Sequence, residues 1–346
     1  MQSINKLFLG EYLYRILVSL FFLSLFSSFS MSGFAQVKIA EIGDFQLENN
    51  EVIKDCKVGY LTFGKLNPDK SNAILLPTWY AGNSNSLIEY VGEKQMLDST
   101  KYFVIIVDAL GDGFSSSPSN SKEQAGSDFP VFSIRDMVNV QHHFLTEFMK
   151  INHLYAVTGI SMGGMQTYQW MASYPDFMDK LAPIFGSPIL SSYDKLTYGI
   201  FNKMMSLCDG EDCGDIAEAT LMLEYLLGQT PEFRVKNTAS EFYTTFLNEV
   251  CKEAEAYKVL DLYSQMTAIS NHGICTESNL QNVADNFKGE VLVSIANQDH
   301  LVLPNSSKVL AQKLNAELFE IDSDCGHYSF WCEKDLLSER VRRFLE

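Results

Sequence analysis

The sequence predicts an α/β protein: a mostly parallel central sheet with helices on both faces, and a helical cap inserted between two of its strands. Three observations carry this. Apolar runs of strand length recur, bounded by turn residues. Segments of helical period separate several of them, the alternation of a parallel sheet covered on both sides. Between residues 188 and 286 the strand-like runs stop and helix formers take over. At 346 residues, 46% of them apolar, the chain is long enough to bury a sizeable core.

The elements follow in order. Residues 1–15 are polar, with Lys6 and Arg15; residues 16–29 are apolar, and Gly33-Phe34-Ala35 closes the segment. This is the layout of a secretory signal peptide cleaved after Ala35, and the apolar run is shorter than the roughly 20 residues a membrane-spanning helix needs. The expectation is therefore a signal peptide at 1–35 and a secreted or periplasmic mature chain. Residues 37–63 are extended and more polar, suited to antiparallel edge strands. The clearest further strands are 73–76, 102–107, 154–158, 181–185, 291–296 and 317–321, with helices at 134–149, 164–173 and 306–314. The core then comprises residues 36–187 and 287–346, and the cap or lid residues 188–286, where 216–227 and 239–262 read as long helices.

A formal charge of −17 repels nucleic acid and anionic membranes, so neither is an expected partner once the signal segment is gone. All seven cysteines follow residue 35, where an oxidising compartment lets them pair. The sequence-local pairs Cys208 with Cys213 and Cys325 with Cys332 are the simplest. No Cys-x-x-Cys or His-Glu-x-x-His spacing occurs, so no metal or other cofactor is expected. Oligomeric state stays open, a dimer included.

Gly159-Ile160-Ser161-Met162-Gly163-Gly164 lies between a strand and a helix. A Gly-x-Ser-x-Gly there is a nucleophile elbow, whose glycines relieve a tight turn that lifts the serine above the sheet; this is the signature of the α/β-hydrolase fold. A serine hydroxyl needs a base and an acid that orients the base, which follow in the order Ser, Asp or Glu, His. Asp299 follows the strand at 291–296, and His327 follows the last strand, so both sit at strand ends that face a ligand crevice. His300 shares its strand with Asp299 and would leave the last loop without a role. His142, His143, His153 and His272 read as surface, core or cap residues, and Asp322 and Asp324 as turn residues. The oxyanion donors expected are the backbone N–H groups of Met162 and of Tyr80, in the loop Thr78-Trp79-Tyr80-Ala81-Gly82. Trp79, Tyr263, Met266 and Tyr328 are candidate substrate-binding residues.

With these residues in place, the chain resembles the homoserine O-acetyltransferase branch of the α/β hydrolases. Residues 60–67 (YLTFGKLN), 72–75 (NAIL), 129–138 (FPVFSIRDMV) and 161–166 (SMGGMQ) carry the resemblance, which covers residues 58–186 and 257–330. It implies a Ser161-Asp299-His327 triad and an acyl-enzyme intermediate. The chain departs from the family where homoserine would be held. The family's His-Ala-Leu-Thr-Gly is Thr78-Trp79-Tyr80-Ala81-Gly82 here, its Gly-His-Asp is Gly326-His327-Tyr328, and its Arg-Phe-Asp-Ala-Asn falls on residues 256–260 without the Arg or the acid. A zwitterionic amino acid needs buried countercharges, so these losses point away from homoserine. The expected activity is hydrolysis of a carboxylic ester through an acyl-enzyme, the partner being a small-molecule ester or acyl substrate. O-acyl transfer to an alcohol is the alternative, and a non-catalytic binding protein on the same scaffold is a third reading.

Overall fold

The computed structural model describes residues 36–210 and 213–346; the expected signal segment, residues 1–35, lies outside them. One eight-stranded sheet runs in the order β1-β2-β4-β3-β5-β6-β7-β8. The edge strands β1 (Lys38–Gln46) and β2 (Val52–Phe63) pair antiparallel, and β2 meets β4 (Phe103–Val107) antiparallel. From β4 onward through β3 (Ala73–Pro77), β5 (Leu154–Ile160), β6 (Met178–Ile184), β7 (Glu290–Ala296) and β8 (Glu317–Ile321) every pairing is parallel. The α/β class read from the sequence is thus the fold observed.

Burial on both faces explains why the inner strands are continuous apolar runs. Ala73 and Leu75 of β3 feed one hydrophobic core, while the alternating Ile74 and Leu76 feed the other. Helices α1 (Ile134–His143) and α2 (Met162–Ser173) pack against each other, and Ser133 opens α1 with a capping box to Asp136. The stretch read as one helix at 134–149 is α1 followed by a wider π-type turn, Phe144–Phe148.

Between β6 and β7 come α3 (Ser192–Met205), α4 (Gly214–Gly228), α5 (Pro231–Asn237), α6 (Tyr243–Ala254), α7 (Val259–Ser270) and α8 (Leu280–Asn286). The single helix expected at 239–262 is broken between α6 and α7, with Lys258 extended at the start of α7. The break lets α7 turn Asp261 toward Ser119, whose backbone N–H donates to it at 2.9 Å. Among the described residues no helix is long and apolar enough to cross a membrane.

The chain leaves β3 toward β4 on one side and returns to β5 on the other. Such a reversal opens a crevice at the carboxyl ends of the two strands. The loop after β3 and the turn after β5 both end there.

Candidate active site

Ser161 closes β5 and caps α2 with φ 57° and ψ −118°, a strained conformation for a residue with a side chain. The turn closes only because its neighbours have no Cβ. A Cβ on Gly159 would come within 2.4 Å of the Gly163 carbonyl, one on Gly163 within 2.6 Å of the Pro77 carbonyl, and one on Gly164 within 2.7 Å of the Ile184 carbonyl. The glycines therefore let α2 press onto β3 and β6, with the serine left at the apex.

His327 and Asp299 converge on this apex from the ends of two other strands. His327 Nε2 is 2.8 Å from Ser161 Oγ, and His327 Nδ1 is 2.6 Å from Asp299 Oδ2. A carboxylate only accepts, so Nδ1 carries the ring proton and Nε2 accepts from the serine hydroxyl. Asp299 is fixed in turn, because its Oδ1 accepts from the backbone N–H groups of Leu301 at 2.9 Å and Val302 at 2.8 Å. The three residues are only 9%, 2% and 3% exposed in the order Ser161, His327, Asp299, so bulk water does not compete for these bonds. Cys325 is joined to Cys332, which places His327 inside a short covalent loop, and Cys208 is joined to Cys213.

Beside Ser161 lies a small apolar cavity of about 30 Å³, lined among others by Tyr80, Met162, Tyr198, Phe201, Glu224, Met266 and Leu301. A water molecule needs about 10–15 Å³ on this measure, so the space beside the serine is narrow, room for about two waters. Met162 is the first residue of α2, and its N–H is one of the helix's free amino-terminal donors. Tyr80 also lines the cavity, in a tight turn whose Ala81 has φ 60°, a region costing a non-glycine residue about 1–2 kcal/mol. A chain of buried amides braces both walls. Trp170 Nε1 donates to Gln141, Gln141 donates to Gln166 at 2.6 Å, and Gln166 Nε2 donates to the Thr78 carbonyl at 3.0 Å and the Met162 carbonyl at 3.3 Å.

Of the substrate-binding candidates, Met266 lines the cavity. Trp79 and Tyr263 do not: the Trp79 indole folds over Gly82 and packs in an aromatic group with Tyr90, Phe330 and Trp331. Tyr328 stands behind the cavity, its hydroxyl donating to Glu224 Oε1 at 3.3 Å. Its neighbour Glu224 carries no clear sequence signal, being one of three acids in α4, yet among the described residues it is the only acidic side chain lining this cavity. Burial, and then the nearby Glu253 carboxylate, push the Glu224 carboxyl up to about 7. The rival histidines stand elsewhere. His300 is exposed, His142 stacks on Tyr174, His153 pairs with Asp179, and His272 is buried against the Ser187 carbonyl, where desolvation lowers it to about 4.

Below the site a second acid pair is structural. Asp108 accepts from the backbone N–H and hydroxyl of Ser84, and the buried Asp112 Oδ2 lies against it with no other partner. Burial, and then the like charge of Asp108, raise the Asp112 carboxyl well above the usual carboxylate range.

Residues 72–334 match the alpha/beta hydrolase fold family. A probable esterase of Corynebacterium glutamicum is 34% identical over 235 residues, 67% of this chain and 65% of that protein. An ethyl acetate hydrolase of Pseudomonas veronii is 43% identical over 161 residues, 46% of each chain. The chain thus matches less than two thirds of the length of either relative. Homoserine O-acetyltransferases are among the other similar proteins. The solved structure of the acetyl esterase MekB superposes with a TM-score of 0.83 at 28% identity, covering 90% of this chain and 97% of that one.

Proposed function

The chain belongs to the α/β-hydrolase fold family, in the branch it shares with homoserine O-acetyltransferases, and from that premise we propose an exported serine esterase of short-chain, acetyl-type esters. The observation that carries this reading is the relay from Ser161 Oγ through His327 to Asp299, two hydrogen bonds of 2.8 and 2.6 Å shut away from bulk water.

In the proposed reaction His327 Nε2 takes the Ser161 proton as Oγ bonds to the ester carbonyl carbon. The Met162 and Tyr80 N–H groups hold the resulting oxyanion. The carbon–oxygen bond to the alcohol then breaks, and His327 returns its proton to the departing alkoxide. Water, losing a proton to the same nitrogen, attacks the acyl-enzyme, and the carboxylic acid leaves as Ser161 regains its hydrogen. Asp299 keeps the ring in the required tautomer throughout.

The narrow cavity favours an acetyl over a longer acyl chain. No Arg or Lys lines it among the described residues, so an amino-acid carboxylate would enter without a countercharge. The second fact favours an ester hydrolase over a homoserine acyltransferase; an acetyl-sized space serves either. Similarity to an ethyl acetate hydrolase and to an acetyl esterase supports the same substrate class. Export rests on the layout of residues 1–35, and two joined cysteine pairs suit an oxidising compartment.

A p-nitrophenyl ester series tests the proposal. Hydrolysis in water alone is expected to be fastest for acetate and to fall at least tenfold by hexanoate, because an extra methylene has no cavity to enter. Release that requires an added alcohol and yields a new ester would identify an acyltransferase instead.

A further inference from the structure

Helix α7 hydrogen-bonds the loop after β3 through Gln265. Gln265 has no exposed surface; its Oε1 accepts from the Ala81 N–H at 3.0 Å and its Nε2 donates to the Leu110 carbonyl at 3.2 Å. Both ends of the amide are satisfied, which fixes its plane. The helix beneath it is fixed as well. Asp261, one turn earlier, accepts from the Ser119 N–H and hydroxyl, and Gly111 lies so close that a Cβ there would meet Ser264 Oγ at 2.5 Å and Gln265 Cγ at 2.9 Å.

The turn that Gln265 meets is one that alanine resists. The Gly82 N–H donates to the Trp79 carbonyl at 3.3 Å and closes Trp79-Tyr80-Ala81-Gly82, with φ 60° at the third residue. A positive φ there is the mark of a type II turn, a position glycine usually fills. Relaxation to type I would restore a negative φ, invert the Tyr80–Ala81 peptide and swing the Ala81 N–H off Gln265.

We infer that Gln265 is a positioning residue for the oxyanion hole: by accepting the Ala81 N–H it ties the 79–82 turn to α7, and so holds in place the preceding Trp79–Tyr80 peptide, whose N–H is the proposed second donor at the cavity that Tyr80 and Ser161 both line. The inference rests on the esterase reading of Ser161.

The test compares Gln265→Leu with Gln265→Glu. Leucine removes the acceptor; glutamic acid, which full burial keeps protonated, offers a carbonyl oxygen to the Ala81 N–H and an O–H donor to the Leu110 carbonyl. Misplacing a catalytic group by about 1 Å costs up to about a hundredfold, so Gln265→Leu is expected to lose ten- to a hundredfold in kcat with KM changed less than about twofold. Gln265→Glu should recover most of that loss, and amide exchange at Ala81 should quicken only in the leucine variant. Folded Gln265→Leu with kcat within twofold of wild type, equal losses in both variants, or equal Ala81 protection would overturn the inference. Should leucine prevent folding, Gln265→Met removes the same acceptor and is judged by the same criteria. Wild-type protein that neither cleaves esters nor reacts with a fluorophosphonate would defeat the esterase reading and this inference with it. A reactive wild type with an equally reactive Gln265→Leu variant would defeat the inference alone.

Discussion

Glu224 places a group that titrates near neutrality beside a histidine that gains charge in every half-reaction proposed. Its carboxyl is raised to about 7 by burial, with Glu253 adding to the effect, while a positively charged His327 pulls the other way. The last interaction is reciprocal: an ionised Glu224 favours the imidazolium that forms as Ser161 attacks. Below about pH 7 Glu224 is neutral and lends nothing; above it the charge is present. Glu224→Gln should therefore lower kcat severalfold at pH 8 and leave it within about twofold of wild type at pH 6. A ratio of variant to wild type that is the same at both pH values would rule out this role. The meeting of Ser161, Asp299 and His327 was legible in the sequence because each follows a strand, and the carboxyl ends of parallel strands converge. Glu224 and Gln265 were not, since helices inserted between β6 and β7 have no fixed spacing to Ser161 and meet it only through packing.

The loop that carries His327 is an element with its own constraint. Cys325 and Cys332 close a ring around it with a sequence separation of 7, at the short end of the loops that a disulfide can stabilise by restricting the unfolded chain. The ring also bears Tyr328, which meets Glu224 of α4, and Phe330, whose carbonyl accepts from the Tyr90 hydroxyl at 3.0 Å. Opening it frees the histidine more than it frees the fold. The double variant Cys325→Ala with Cys332→Ala is expected to lose at least tenfold in kcat while its unfolding midpoint falls by only a few degrees, as activity and thermal-melt measurements would read. A midpoint loss in proportion to the activity loss would assign the bond to global stability instead. The helix break at residues 255–258 shows what periodicity misses at this scale. Residues 239–262 have helical composition throughout, but docking Asp261 onto Ser119 and Gln265 onto Ala81 requires α7 to take a different direction from α6.

Across the whole molecule, the sheet was legible because both of its faces are buried. Ile74 and Leu76 on one side and Ala73 and Leu75 on the other leave no polar position to interrupt the run. The order of the strands follows from the crossover at β3 and β5, which brings the Tyr80 turn and Ser161 to one crevice. The substrate end was less legible, because the cavity is bounded by side chains from α3, α4 and α7 together with the loop after β7. The central claim is that this architecture activates Ser161. The measurement that tests it most directly is labelling of the protein with a fluorophosphonate, followed by peptide mapping, beside Ser161→Ala and His327→Ala variants. The account expects one label, on Ser161, absent from Ser161→Ala and at least a hundredfold slower in His327→Ala. Folded wild-type protein that takes up no label, or is labelled equally fast without His327, would contradict it.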